Sequence, residues 1–207
     1  TTYPQRLLTH LASQHQIEVL TFAYQRHLPA QSQWQGLTIK RMPPGLKISK
    51  GFISPASWWY YYQAVRHTEI VLINLPNIEA LPLALLARWQ HKKVIAIYHC
   101  RVVLGSSGWS RFVGRLLNWA VNCQVKLADK VVFCTRDYFK SLSLPTAKKK
   151  YVFSLPPVTL APVNLDYLDQ LLSTKQNKIW IGFAGRIARE KGLLELIQAL
   201  AHLQTHK

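Results

Sequence analysis

Apolar positions follow two different spacings along this 207-residue chain. At Pro4–Gln14, Leu7, Leu8 and Leu11 share one face, which predicts a helix. Ser57–His67 reads the same way, with Ser57 as N-cap after Pro55. So do Ile78–Trp89 and the long segment Ser110–Leu127, whose apolar face is Phe112, Val113, Leu116, Leu117, Ala120 and Val121. Between them lie short apolar runs of the kind that form strands: Glu18–Phe22, Leu37–Arg41, Ile70–Leu75, Val94–Tyr98 and Val131–Cys134. The runs at Ile70 and Val94 are continuous rather than alternating, as expected of parallel strands covered on both faces. Asp137–Leu142 predicts a short helix and Lys150–Phe153 a short strand.

Repeated strand–helix–strand order predicts an α/β chain built on a Rossmann-like, doubly wound parallel sheet. "SLPPVTLAPVN" then interrupts the pattern with three prolines and marks a linker. After it come a helix at Asn164–Leu172, a strand in "KIWIGFAG" and a helix over Gly192–His202. The division expected is a domain over 1–155, a linker with a short helix over 156–177, and the start of a second Rossmann-like domain over 178–207. The chain opens inside what reads as the first helix of such a domain. The expectation is therefore a piece of a longer protein, with one strand and a glycine-rich turn preceding Thr1.

Charge adds a direction to this picture. The chain has 26 Lys and Arg against 9 Asp and Glu, a formal charge of +17. Residues 91–150 hold 12 of the bases and 2 of the acids, so the middle of the chain favours a partner carrying phosphate or anionic lipid. Cys100, Cys123 and Cys134 form neither a C-x-x-C nor an even set, which argues against a disulfide framework or a zinc site and for a reducing compartment. No apolar run reaches the roughly 18–20 residues of a membrane span. The expected location is cytoplasmic, with peripheral contact at the inner membrane face.

Chemistry is suggested at two points. In "FAGRIAREKGLLELIQAL" an apolar run ends in Gly185, followed by Arg186, Arg189, Glu190 and Lys191 and then an amphipathic segment. A strand, a glycine turn and a helix N-terminus offer free backbone N–H groups to an anion. Arg186 and Lys191 can converge there on a diphosphate, one as a fork and one as a point charge. A solvated helix start, with Glu190 complementing the helix dipole, explains the same residues. His99 follows a buried strand, where ligands of parallel sheets collect; it is either a site residue or a structural histidine satisfied at a strand end. The aromatic run "SWWYYYQAVRH" fits a core-facing helix side, base stacking or a membrane surface. No RRM, KH or zinc-finger pattern supports nucleic acid, and no nucleic-acid partner is expected. No D-x-D or H-E-x-x-H occurs, so no metal ligands are assigned.

"GFAGRIAREKGLLELIQAL" resembles the G-R-x-x-x-x-K-G-x-x-x-L-I-x-A-L pattern of glycosyltransferase family 4, which has the GT-B fold. "EIVLINLPNIEALPLALL", "VIAIYHCRVVLG" and "LADKVVFCTRDYFKSL" resemble further segments of that family in the same order. The resemblance implies an enzyme that moves a sugar from a nucleotide-diphosphate-sugar donor to a glycan or lipid-linked acceptor, in polysaccharide or glycolipid synthesis. It implies a retaining course without metal or other cofactor. Gly185, Arg186 and Lys191 would bind the donor diphosphate. His99 would lie near the transferred sugar as the catalytic residue, with Asn77 and Arg101 on the acceptor side. Cys100 and Arg101 stand where many relatives have Ser and Asp, so the alternatives to an active enzyme are a degenerate, non-catalytic transferase or a basic α/β module that binds nucleic acid or anionic membrane. The family's E-x(7)-E motif would lie beyond Lys207, so this length alone is expected to be inactive.

Overall fold

A computed structural model describes residues 2–25, 27–48, 51–103, 107–142, 144, 150–154, 162–175, 179–185, 187–188 and 191–205. The chain divides into two units, Thr1–Val158 and Thr159–Lys207.

The first unit is organised around a four-stranded parallel sheet. Helix α1 (Thr2–Ala12) leads into β1 (Ile17–Phe22), β2 (Gln31–Trp34) and β3 (Leu37–Met42). A small hairpin, β4 (Leu46–Ile48) and β5 (Gly51–Ile53), precedes α2 (Ser57–Arg66). Then β6 (Ile70–Leu75), α3 (Ala80–Trp89), β7 (Lys93–Tyr98), α4 (Gly108–Leu127), β8 (Lys130–Phe133), α5 (Arg136–Lys140) and β9 (Lys150–Phe153) alternate. Strands β6, β7, β8 and β9 lie side by side in chain order, all parallel.

The expected parallel sheet of alternating strand–helix units forms over β6–β9, but among the described residues the strands do not all join one doubly wound sheet. β1 pairs in parallel with β3, and β2 is antiparallel to β3, in a separate three-stranded sheet. β1 and β6 each pair on one edge only among the described residues. Strand β2 is a departure from the sequence reading too. "QSQW" has no apolar alternation to reveal it, and pairing is imposed by the Gln35–Gly36 turn. Both residues have positive φ, 47° and 80°, the conformation that matches a two-residue hairpin to strand twist.

Burial explains why the four-stranded sheet holds together. Val71, Ile73 and Leu75 of β6, Val94, Ala96 and Tyr98 of β7, and Val131 and Phe133 of β8 are all buried and stand in register on one face. Ala80, Ala84 and Ala87 recur at helical spacing on α3, and Val121 and Val125 do so on α4. The alanines let α3 sit close to the strands. Each larger apolar side chain removed from water here contributes about 1.5–3 kcal/mol. On the opposite face Leu72, Asn74, Ile95 and Val132 are half-buried while Ile97 is buried, so burial alternates in β6 and β8 and is continuous only over Ala96–Tyr98 of β7.

Two details correct the sequence reading of local structure. Ser57 does not cap α2. The cap position is Ala56, without a side-chain bond, and Ser57 is buried in the first turn. Its hydroxyl lies 2.6 Å from the Ser54 carbonyl oxygen and 3.1 Å from Glu79 Oε2. Helix α4 instead starts two residues earlier than expected because Ser107 caps it, its Oγ accepting from Ser110 N–H at 3.2 Å.

Asp129 ties three elements together. Its carboxylate accepts from Val94 N–H at 2.8 Å and from Arg88 at 3.1 Å, while its own N–H donates to Val94 O. Partial burial pushes this carboxyl up. The Val94 N–H and the Arg88 and Lys93 charges outweigh that and hold it below the usual aspartate value.

In the second unit, α6 (Leu165–Lys175) is capped by Asn164, whose Oδ1 accepts from Tyr167 N–H at 3.0 Å. Helix α7 (Leu193–Thr205) follows. The strand expected over 179–184 is absent. A strand is stable only when its backbone groups pair with a neighbour, and no second strand lies among the described residues of this unit. Its apolar side chains are accordingly exposed, Ile179 and Ile181 among them.

Two predictions follow from this packing. Phe133 is fully buried against Tyr98, Phe139, Tyr151 and Phe153. Phe133→Ala is expected to lower unfolding free energy by about 3–5 kcal/mol in urea titration, while Trp89→Ala, at an exposed position, changes it by roughly 0.5 kcal/mol or less. Because the folded-state pKa of Asp129 is depressed, its contribution is present above the unfolded value near 3.8 and is lost as pH falls through the folded one. Wild-type stability should therefore fall more steeply with acid below that value than the stability of Asp129→Asn, and the difference between the two should shrink.

Candidate functional site

Parallel strands all end on one edge, and the loops beyond that edge are free to carry chemistry. Here the register pairs Leu75 with Tyr98 and Tyr98 with Phe133, so β6, β7 and β8 end together. Asn77 lies two residues past β6, and His99 and Arg101 follow β7 at once. The structure thus places these three predicted residues on one edge of the sheet.

His99 is half-exposed and held at two points. Its N–H donates to Leu75 O at 3.0 Å, and its Nε2 lies 3.2 Å from Asn74 Oδ1. Strand parity explains the second contact. Asn74 lies on the face of β6 opposite Leu75, and His99 continues the Ile95–Ile97 face of β7, which is the same face. An amide oxygen only accepts, so this bond selects the tautomer with the proton on Nε2. Burial holds the imidazole pKa below its ordinary 6.5. At neutral pH His99 is an uncharged ring in a fixed orientation, suited to hydrogen bonding.

The loop after His99 is pinned as well. Arg101 N–H donates to Tyr138 Oη at 2.7 Å. Asn118 of α4 donates through Nδ2 to Val102 O at 2.9 Å and accepts from Val102 N–H at 3.3 Å. The Arg101 side chain is exposed. Tyr98, beneath this loop, is pushed up to about 12 by burial, with Tyr138 beside it, and stays protonated.

Asn77 is committed in part to the backbone. Its Oδ1 accepts from Glu79 N–H at 3.1 Å, and its carbonyl oxygen accepts from Gln124 Nε2 at 2.8 Å. The residue shapes the turn into α3 and is itself exposed. Gln124 is fully buried, and burying an amide is costly unless it is bonded; its Nε2 has the Asn77 carbonyl, while its Oε1 has no hydrogen-bond partner among the described residues. Its place on the core face of α4 makes it a fixed strut for this loop. Beside it, buried Glu79 lies 3.5 Å from Tyr61 Oη, and burial together with that carboxylate pushes Tyr61 up to about 12.

Sequence reasoning missed Asn74, Asn118, Gln124 and Tyr138. A polar residue interrupting an apolar strand, as in "IVLINL", is the signal that marks Asn74. The others sit in ordinary helical patterns and reveal their partners only through the fold.

The donor-side residues lie in the second unit. Arg186 is outside the described residues. Gly185 is exposed, and the Phe183 ring lies 3.3 Å from where a side chain on it would begin. Lys191 was expected in the first helical turn but precedes it. Gly192 accepts the first helical bond, from Leu196 N–H at 3.0 Å, and adopts φ +66°, where a side chain is strained. Lys191 is exposed beside that cap, with its N–H on Ala188 O.

Clefts elsewhere in the first unit carry less chemistry. One lies between α2 and the β1–β3 pair, around Trp59, Tyr60, Glu18 and Lys40. Another lies between α1 and the same sheet. Neither contains the polar groups gathered at His99. Among the described residues, no group of three or more His, Cys, Asp or Glu could hold a metal ion, and no helix is long and apolar enough to cross a membrane.

In an α/β chain with alternating strand–helix units, the loops at the carboxyl edge of the parallel sheet are where ligands bind. The sequence model of Glycosyltransferase Family 4 matches residues 1–143, and the chain belongs to that family. No significant match is found among curated proteins or among solved structures.

Burial and the Asn74 bond lead to a direct expectation for His99. Nitrogen-detected NMR of the imidazoles should show His99 protonated on Nε2 at neutral pH and titrating below 6.5. A midpoint at or above that value, or a proton on Nδ1 instead, contradicts the geometry described.

Proposed function

We propose that the protein is a nucleotide-sugar glycosyltransferase of the GT-B type, with the acceptor-side domain over 1–155, a linker over 156–177 and the start of the donor-binding domain over 178–207. The observation that carries this reading is the family match over a domain whose sheet edge holds a neutral, oriented His99. The donor is a nucleotide-diphosphate-sugar and the acceptor a glycan or lipid-linked sugar. Hexosyl transfer in polysaccharide or glycolipid synthesis, on the cytoplasmic side of a membrane, is the setting that fits.

In this reading Arg186 and Lys191 take the donor diphosphate at the start of α7, with Gly185 giving the chain room to turn. They stabilise the leaving group as negative charge builds on it. His99 donates or accepts a hydrogen bond near the transferred sugar and acts without changing its own charge. Asn77 and Arg101 orient the acceptor. The reaction proceeds with retention of configuration and without a metal ion.

Calorimetric titration with UDP, GDP and ADP tests the donor half of this proposal. At least one should bind, and Lys191→Ala and Arg186→Ala should each weaken binding roughly tenfold or more, the worth of a charge-assisted hydrogen bond. Asp169→Asn on α6 should leave binding unchanged. Absence of binding to all three nucleotides, or unchanged affinity in both alanine variants, overturns it.

A further inference from the structure

Helix α4 has two apolar faces, and only one of them is used by the core. Val121, Val125 and Ala120 pack inward. Trp109, Phe112, Leu116 and Trp119 are 74%, 57%, 45% and 57% exposed. At 100° per residue these four fall within an arc of about 80°, so they form one stripe about ten residues long. Trp109 and Phe112 stack at 5.8 Å between centroids, which makes the start of the stripe a continuous aromatic surface.

Charge identifies what this stripe meets. The helix GWSRFVGRLLNWAVNCQVKL has no acidic residue. Arg111 and Arg115 are exposed on the arc next to the stripe, and neither forms an ion pair among the described residues. A second copy of the chain would bring the same cations and the same +17 against them. An exposed row of Trp, Phe and Leu beside arginines matches the boundary between acyl chains and anionic headgroups, where indole rings settle and cations are attracted.

We propose that α4 docks the protein on an anionic lipid bilayer, with Trp109, Phe112, Leu116 and Trp119 entering the interface and Arg111 and Arg115 contacting headgroups. The inference needs no particular catalytic activity. It gives the basic middle of the chain a definite face, and the loop after His99 is tied to this same helix through Asn118.

Co-sedimentation with phosphatidylcholine vesicles, and with vesicles of equimolar phosphatidylcholine and phosphatidylglycerol, tests it. Binding is expected to the anionic vesicles alone, with a blue shift of tryptophan emission and loss at high salt. The pair Trp109→Ser and Trp119→Ser should weaken binding at least tenfold. The pair Arg111→Gln and Arg115→Gln should weaken it by roughly 25-fold, at about fivefold per cation near an anionic surface. Trp89→Ser, exposed on α3, should bind as wild type. All these positions are exposed, and circular dichroism checks that each variant folds; should the tryptophan pair fail that check, the arginine pair decides. Equal binding to neutral vesicles, no binding to either, or wild-type binding by the arginine pair overturns the proposal. So does a wild-type dimer in sedimentation velocity that the tryptophan pair converts to monomer, because the stripe would then serve a second copy.

Discussion

The parallel register of β6, β7 and β8 is the constraint on which the first unit depends. Tyr98 stands between Leu75 and Phe133, and all three are buried on the same face. A shift of one residue in either strand would turn these side chains toward the half-covered face and bring Asn74 into the core. The energy that prevents this is apolar burial. The same energy therefore decides that Asn74 and His99 share a face and meet at 3.2 Å. The polar geometry of the edge is thus inherited from the core beneath it.

A second layer of bonds converts that edge into a defined surface. The loops after β6 and β7 are each held by a side chain from an element packed elsewhere. Gln124 holds the turn after β6, and Asn118 and Tyr138 hold the loop after β7. Because α4 supplies two of these three supports, its position on the sheet fixes both loops at once. Asp129 performs a comparable task at the opposite end, where it ties the start of β7 to α3. At the His99 edge, burial keeps the imidazole neutral and the Asn74 bond orients it, while Arg101 stays exposed.

Much of this was legible in the sequence where one periodicity dominates. The buried strands at Ile70, Val94 and Val131 and the helices between them announce themselves through continuous apolar runs and helical spacing. Polar strand β2 did not, because pairing with β3 and the Gln35–Gly36 turn impose it from outside. Ser57 has the right chemistry for a helix cap, yet the chain buries it against Glu79 and caps nothing with it. The strand expected over 179–184 has apolar residues in the right places, but hydrophobicity without a pairing partner does not make a strand. His99 was visible as a histidine after a buried strand. Its orientation was not, because Asn74 is 25 residues away and only the register joins them. Membership of Glycosyltransferase Family 4 rests on residues 1–143, which contain β6, β7 and β8 but not β9, so the family match covers the three strands whose register sets the His99 edge.

The central claim is that the carboxyl edge at His99 is where substrate meets this protein. NMR of the His99 imidazole during titration with UDP-glucose, GDP-mannose and ADP-glucose tests it most directly. At least one of these sugars should shift the His99 resonances saturably and leave those of His10 and His15, on and beside α1, in place. Saturable binding that leaves His99 unmoved, or equal shifts at all three histidines, would contradict it.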